Sequence, residues 1–152
     1  NGLIFIGGGV GVRWSMTPSW HAELGIFGAG APRVMLPAGA RLSAAVLQGN
    51  LSLAWLPVQL GIVRMGPRAS VQAGALRLEV TPVGGTPVTG ATPWISFLGG
   101  ASVGIETRRV VFNLYGEFGS VVVGGRVLAD GVPVWSARGL LISLGLQAGI
   151  RW

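Results

Sequence analysis

Residues 140–152 read LLISLGLQAGIRW, and the reading of this stretch decides the fold. Its even positions, Leu140, Ile142, Leu144, Leu146, Ala148, Ile150 and Trp152, are all apolar, whereas the odd ones include Ser143, Gln147 and Arg151 with Gly145 and Gly149. A period of two sustained this long is a strand with one apolar face and one polar or empty face. A soluble sandwich would carry Lys, Glu and Thr on the second face. Glycine and small polar groups there suit the inside of a narrow membrane barrel, because eight tilted strands leave room for only a modest set of inward side chains.

Composition points the same way. The 152 residues are 50% hydrophobic and 11% charged, whereas ordinary soluble domains are roughly a quarter charged. No apolar run approaches the roughly 20 residues a spanning helix needs, and 27 glycines and 9 prolines oppose helices altogether. A closed barrel is then the remaining membrane solution, since open sheet edges cannot face lipid. One domain over residues 1–152 is expected, with any targeting leader already removed. The basic residues are all arginine and the net charge is +6, which suits an anionic lipid surface. Their scatter, with no helix or aromatic platform to carry them, excludes a nucleic-acid reading. Without cysteine there is no disulfide or thiolate metal site. The run Gly7, Gly8, Gly9 lacks the Lys and the following helix of a phosphate loop. No cofactor and no metal are expected.

Taken in order, residues 2–14 alternate with Ile4, Ile6, Val10, Val12 and Trp14 outward and Gly7, Gly9, Gly11 and Arg13 inward. A short link containing Pro18 leads to residues 20–30, with Trp20, Leu24 and Ile26 outward and His21 and Glu23 inward. Residues 31–40 read as a longer loop. A third strand ends in LQGNLSLAW, residues 47–55, with Gln48, Asn50 and Ser52 inward; residues 41–46 have the opposite parity, which predicts a bulge near Ala44 to Leu47. Residues 56–64 form a connection in which VQLGIV can pair briefly. Residues 65–80 are the fourth strand, with Ser70, Gln72 and Gly74 inward. The Gly, Pro and Thr content of residues 81–93 predicts an exposed loop. Residues 94–106 and 110–122 are a hairpin with Ile95, Phe97, Phe112, Leu114 and Phe118 outward and Glu106, Asn113, Tyr115 and Glu117 inward. Residues 123–138 form a long loop whose arms, Arg126 to Leu128 and Val134 to Ser136, can pair.

The connections alternate short and long, as they do in outer-membrane barrels with short periplasmic turns and longer outside loops. We call the long-loop end the top. Trp14, Trp20, Trp55 and Trp152 fall at the bottom on the outward parity, where an interfacial aromatic girdle belongs.

With these features the chain resembles the small outer-membrane β-barrel proteins of Gram-negative bacteria, of the eight-strand type. The resemblance rests on the alternation along the whole chain and on the terminal strand ending Ile150, Arg151, Trp152. It implies an all-β, antiparallel, up-and-down transmembrane barrel in the bacterial outer membrane. Implied partners are lipid, lipopolysaccharide and the barrel-assembly machinery, which reads such terminal strands. Seven strands are visible and the first runs downward, so an ascending strand is expected from residues upstream or from another chain.

The expected interior is a lumen network of Arg13, His21, Glu23, Gln48, Asn50, Gln72, Glu106, Asn113, Tyr115, Glu117 and Arg151. Arg13 and Glu23 face each other across the first hairpin, and Glu117 and Tyr115 are expected with Gln72 and Asn50 in a second layer higher up. Charges in so narrow a space have to be paired. Arg33, Arg41, Arg77, Arg126 and Arg138 collect at the top, where they could clamp lipopolysaccharide phosphates. The leading functional reading is a non-enzymatic barrel with a plugged lumen, structural or binding through its outer loops or periplasmic rim. The alternatives are a small channel and a lipid A-modifying enzyme. The second would use His21 as lipid A deacylases use their histidine, but their motif places serine where Glu23 stands.

Overall fold

The computed structural model describes residues 4–36, 39–107, 110–129, 132–136 and 138–150, with backbone alone for 127–129, 132–136 and 150. The chain is all-β. Its strands are β1 (Ile6–Ser15), β2 (Trp20–Met35), β3 (Arg41–Trp55), β4 (Val58–Leu60), β5 (Val63–Thr81), β6 (Val88–Glu106), β7 (Val110–Val123), β8 (Arg126–Ala129), β9 (Val132–Ser136) and β10 (Gly139–Ile150). Seven long strands pair antiparallel in the order β1-β2-β3-β5-β6-β7-β10. The short β4 folds onto β5, and β8 and β9 form a separate hairpin. The up-and-down sheet curls into a half-barrel whose β1 and β10 edges, among the described residues, pair with nothing on their far sides.

Local chemistry sets the connections. In the link after β1, the Thr17 hydroxyl accepts the backbone N–H of Trp20 at 3.0 Å, which closes the turn ahead of β2. Between β4 and β5 only Gly61 and Ile62 intervene. Gly61 has φ +63°, the positive value that a tight two-residue hairpin asks of its first residue. Curling has its own requirement on the inner face. A Cβ on Gly100 would stand 1.9 Å from the Gly116 carbonyl oxygen, so only glycine allows β6 and β7 to close up there.

Alternation is kept on every long strand, but its polarity is reversed relative to a soluble barrel. Leu24, Leu51, Leu53, Phe97, Phe112, Leu114 and Ile142 stand exposed on the outer face. The enclosed face buries His21, Glu23, Gln48, Ser52, Arg68, Gln72, Asn113 and Glu117. Towards the top the interior turns apolar, with Leu42, Ala44, Val46, Leu76, Leu78, Trp94 and Val121 in one cluster.

Three expectations are corrected in this upper part of the sheet. No bulge occurs near Ala44 to Leu47, because β3 holds one register against β2 from Ala44 to Trp55 and Leu42, Ala44 and Val46 are the inward residues. The apolar parity switches because the lumen changes character, not because the strand slips. The observed irregularity lies on β2, between Ala31 and Val34, so part of the expected loop at 31–40 is strand. Part of the expected loop at 81–93 is likewise the upper end of β6, whose residues from Val88 pair with β5 up to Val80. Pro93 is tolerated because β7 reaches only Ile95, which leaves Pro93 on a local edge with no ladder to donate to on that side.

Candidate functional site

The site is the charged layer in the lower half of the enclosed face. β5 is the middle strand of the series, and its Arg68 projects inward two positions below Ser70. The guanidinium gives one hydrogen bond through Nη1 to Glu23 Oε2 on β2, at 2.5 Å, and another through Nε to Glu117 Oε1 on β7, at 3.1 Å. β2 and β7 lie two strands away on opposite sides of β5. One cation can reach both carboxylates only because the sheet is tightly curled. The guanidinium carbon also lies 4.4 Å from the centre of the Tyr115 ring, a cation–π contact in a dry setting. Tyr115 has room to lean there because its cross-strand partner is Gly145, where a Cβ would lie 2.2 Å from the ring.

Arg13 and Glu23 are direct partners in the β1–β2 register, with Arg13 Nε 3.0 Å from Glu23 Oε1. Arg13 also reaches Glu106 on β6 at 3.4 Å, and Arg64 Nε meets the second oxygen of Glu106 at 3.3 Å. Arg64 further donates to the Pro18 carbonyl, tying the bottom link to β5. Ser52 donates to Glu23 Oε2 at 3.0 Å. Gln147 donates through Nε2 to the same oxygen at 3.2 Å and accepts at Oε1 from Asn113 Nδ2 at 3.2 Å. Glu23 thus collects contacts from β1, β3, β5 and β10. Arg13, Arg64 and Arg68 face Glu23, Glu106 and Glu117 in these pairs, so this layer is charge-balanced, as a poorly hydrated interior requires.

Above it lies a neutral layer. Gln72 Oε1 accepts from Gln48 Nε2 and from Ser96 Oγ, both at 3.0 Å. Glu117 therefore sits with Arg68 in the charged layer rather than in a second layer with Gln72, because a guanidinium on β5 offers the only full charge of opposite sign that it meets among the described residues. Tyr115 does line a cleft with Gln72 and Asn50. Arg151 lies outside the described residues.

His21 is buried at the bottom of this face, level with Ser15 across the first hairpin. Its Nδ1 is 3.0 Å from Ser15 Oγ. The relevant serine is thus the cross-strand neighbour rather than a residue two positions along. The Nε2 side of the ring meets no hydrogen-bond partner among the described residues, and the neighbouring Glu23 and Glu106 are held by arginines.

Outside the lumen, Trp20 and Trp55 are cross-strand partners and stack at 5.9 Å between ring centres. With Trp14 they stand exposed at the bottom of the outer face; Trp152 lies outside the described residues. Arg33, Arg41, Arg77, Arg126 and Arg138 are all exposed towards the top. No family model, curated protein or solved structure matches the chain.

Arg68, Arg64, Gln147 and Ser15 join the site without being among the expected lumen residues. Parity alone identifies the first: Arg68 shares the inward phase of Ser70 and Gln72, and an arginine on that phase has to be met by acids from other strands.

Proposed function

We propose that this chain is a non-enzymatic outer-membrane β-barrel protein whose lumen is plugged by the Arg68 network, with a structural or binding role exercised through its outer loops or lower rim. The observation that carries the reading is the reversed polarity of the sheet. Apolar side chains alternate along the outer face, large on β2, β3, β6, β7 and β10 and mostly alanine on β5, while three arginines and three glutamates are paired on the enclosed face. Water outside would leave that apolar surface unburied, and hydrocarbon outside would satisfy it. The stacked Trp20 and Trp55 support a membrane interface at the bottom, where amphipathic rings are favoured. The exposed arginines at the top support contact with phosphates of lipopolysaccharide.

Fractionation and conductance test this reading together. The protein should sediment with outer membrane, need detergent for extraction, and give no steady conductance steps in a planar bilayer. Steady steps would establish the small channel instead, and release without detergent would refute the membrane reading altogether.

A further inference from the structure

We propose that the cavity above the upper lumen, between the β5–β6 hairpin and residues 124–126, binds one fatty acid. Its chain lies along the inner face of the hairpin and its carboxylate meets Arg126 and Arg138. The membrane reading supplies the source of such a ligand, the lipid leaflet at this level; the cavity itself stands on independent observations.

Register builds the apolar wall. β5 and β6 pair without a slip from Val63 to Val80, so the inward phase of the buried Trp94 and Ser96 continues upward to Gly90 and Val88. Their partners on β5 are Leu78, opposite Gly90, and Val80, opposite Val88. A cavity of about 690 Å³ rises from Leu78, a member of the buried apolar cluster, so its floor is the roof of the packed upper lumen. A Cβ on Gly90 would meet nothing within 4 Å. The space beside Leu78 is therefore space that a side chain at position 90 would fill. The opposite wall is the chain leaving β7, where Gly125 is buried so closely that a Cβ would lie 2.6 Å from Thr92 Cγ2.

Strand pairing also interrupts the side of the sheet here. β7 reaches β6 only up to Ile95, so above that level β6 has no ladder partner on this side among the described residues. Consecutive residues of β6 from Val88 to Thr92, of both parities, accordingly border the cavity. A hydrocarbon chain can enter past this strand edge without crossing the packed interior.

Charge selects the head group. Arg126 begins β8 and pairs with Ser136 on β9, two residues before Arg138, so the base of that hairpin brings both arginines to the cavity wall. No carboxylate lines the cavity among the described residues; Glu79 has the opposite parity to Leu78 and Val80. Guanidinium groups bind a carboxylate bidentately, and the hairpin face takes the chain. Cavities of this size enclose small molecules, which here means one chain with a compact head rather than a lipid with several chains.

Binding of radiolabelled dodecanoate to the protein in nonionic micelles, with uptake by protein-free micelles subtracted, tests the assignment. One saturable site per chain is expected. Gly90→Leu, which fills the space beside Leu78, and Arg126→Gln, which removes a charge from an exposed residue, should each weaken binding on the order of tenfold or more. Gly99→Leu, on the outward phase of the same strand where a Cβ also meets nothing, should leave it unchanged. Urea midpoints of the three variants establish that each folds. Methyl dodecanoate, the same chain without the charge, should bind roughly tenfold more weakly than the acid. Uptake no greater than that of the micelles, binding indifferent to both site variants, or equal binding of the methyl ester would each overturn the proposal. Inorganic phosphate bound as tightly as dodecanoate would overturn it too, by showing an anion site that makes no use of the chain. If the protein proves soluble without detergent, the membrane reading fails and the same titration is run without micelles, so the two failures are distinguishable.

Discussion

Arg68→Met should be among the most destabilising single substitutions in the chain. The side chain is fully enclosed and holds Glu23 and Glu117 at once. Glu23 keeps Arg13, Ser52 and Gln147 when Arg68 is lost, so its carboxylate remains partly compensated. Glu117 keeps no other ion pair among those described, and its second oxygen is already buried without a partner. The expected cost is that of one stranded buried carboxylate, about 3 to 5 kcal/mol. Methionine fills most of the volume, so the loss reports charge rather than a cavity. Adding Glu117→Gln removes the stranded charge and should restore more than half of the lost stability. Urea unfolding of the protein refolded into lipid vesicles, followed by tryptophan fluorescence, measures all three forms. A cost below about 1 kcal/mol for Arg68→Met, or a double variant no better than the single one, would show that Arg68 is hydrated and does not hold the interior together.

Adjacent glycines provide a second test, because Gly100→Ala meets the Gly116 carbonyl whereas Gly99→Ala points into open space. The first should cost about 1 to 3 kcal/mol and the second close to nothing in the same unfolding assay. Gly145→Ala should be similarly costly, owing to the Tyr115 ring, and Tyr115→Leu in the same chain should relieve it. Leu53→Arg should cost about 2 to 4 kcal/mol if Leu53 lies near the bilayer midplane, seen as a shift in the urea midpoint of refolding into vesicles; a Leu53→Arg variant that folds equally well without lipid would contradict it. Ser15→Ala should leave folding intact and release no acyl chain activity to be lost; an ester- or amide-cleaving activity on purified lipid A that disappears in Ser15→Ala would instead establish the hydrolase.

Much of this architecture is legible in the residues, because alternation on a half-buried sheet is a period-two signal written out in full. Leu140, Ile142, Leu144 and Leu146 announce an apolar outer face, and Arg13 opposite Glu23 follows from the length of one short link. The differences have two sources. An inner face polar throughout would make Leu42 and Val46 the sign of a slipped strand, whereas they mark an apolar upper lumen; and the Gly, Pro and Thr of residues 81–93 point to a loop although the chain pairs with β5 from Val88 onward. Pairing between distant strands was not legible either. That Arg68 joins Glu23 to Glu117, and that Gln147 reaches Glu23 across the open seam, depends on how tightly the sheet curls. The curl is set by where Cβ atoms are missing, as at Gly100, and no local pattern states its radius.

The reversed polarity of the sheet is tested most directly on β5. The chain has no cysteine, so single cysteines placed in turn at residues 69–73 and 75 can carry a spin label in an otherwise silent protein reconstituted into lipid vesicles; Gly74 is left as it is, because a Cβ there would lie 2.1 Å from the Leu47 carbonyl oxygen. Collision with oxygen, which concentrates in hydrocarbon, should be high at Ala69, Val71, Ala73 and Ala75. It should be low at Ser70 and Gln72, giving a period of two along the strand. Labels at the odd positions that respond instead to a water-soluble nickel complex, with no such alternation for oxygen, would contradict the account.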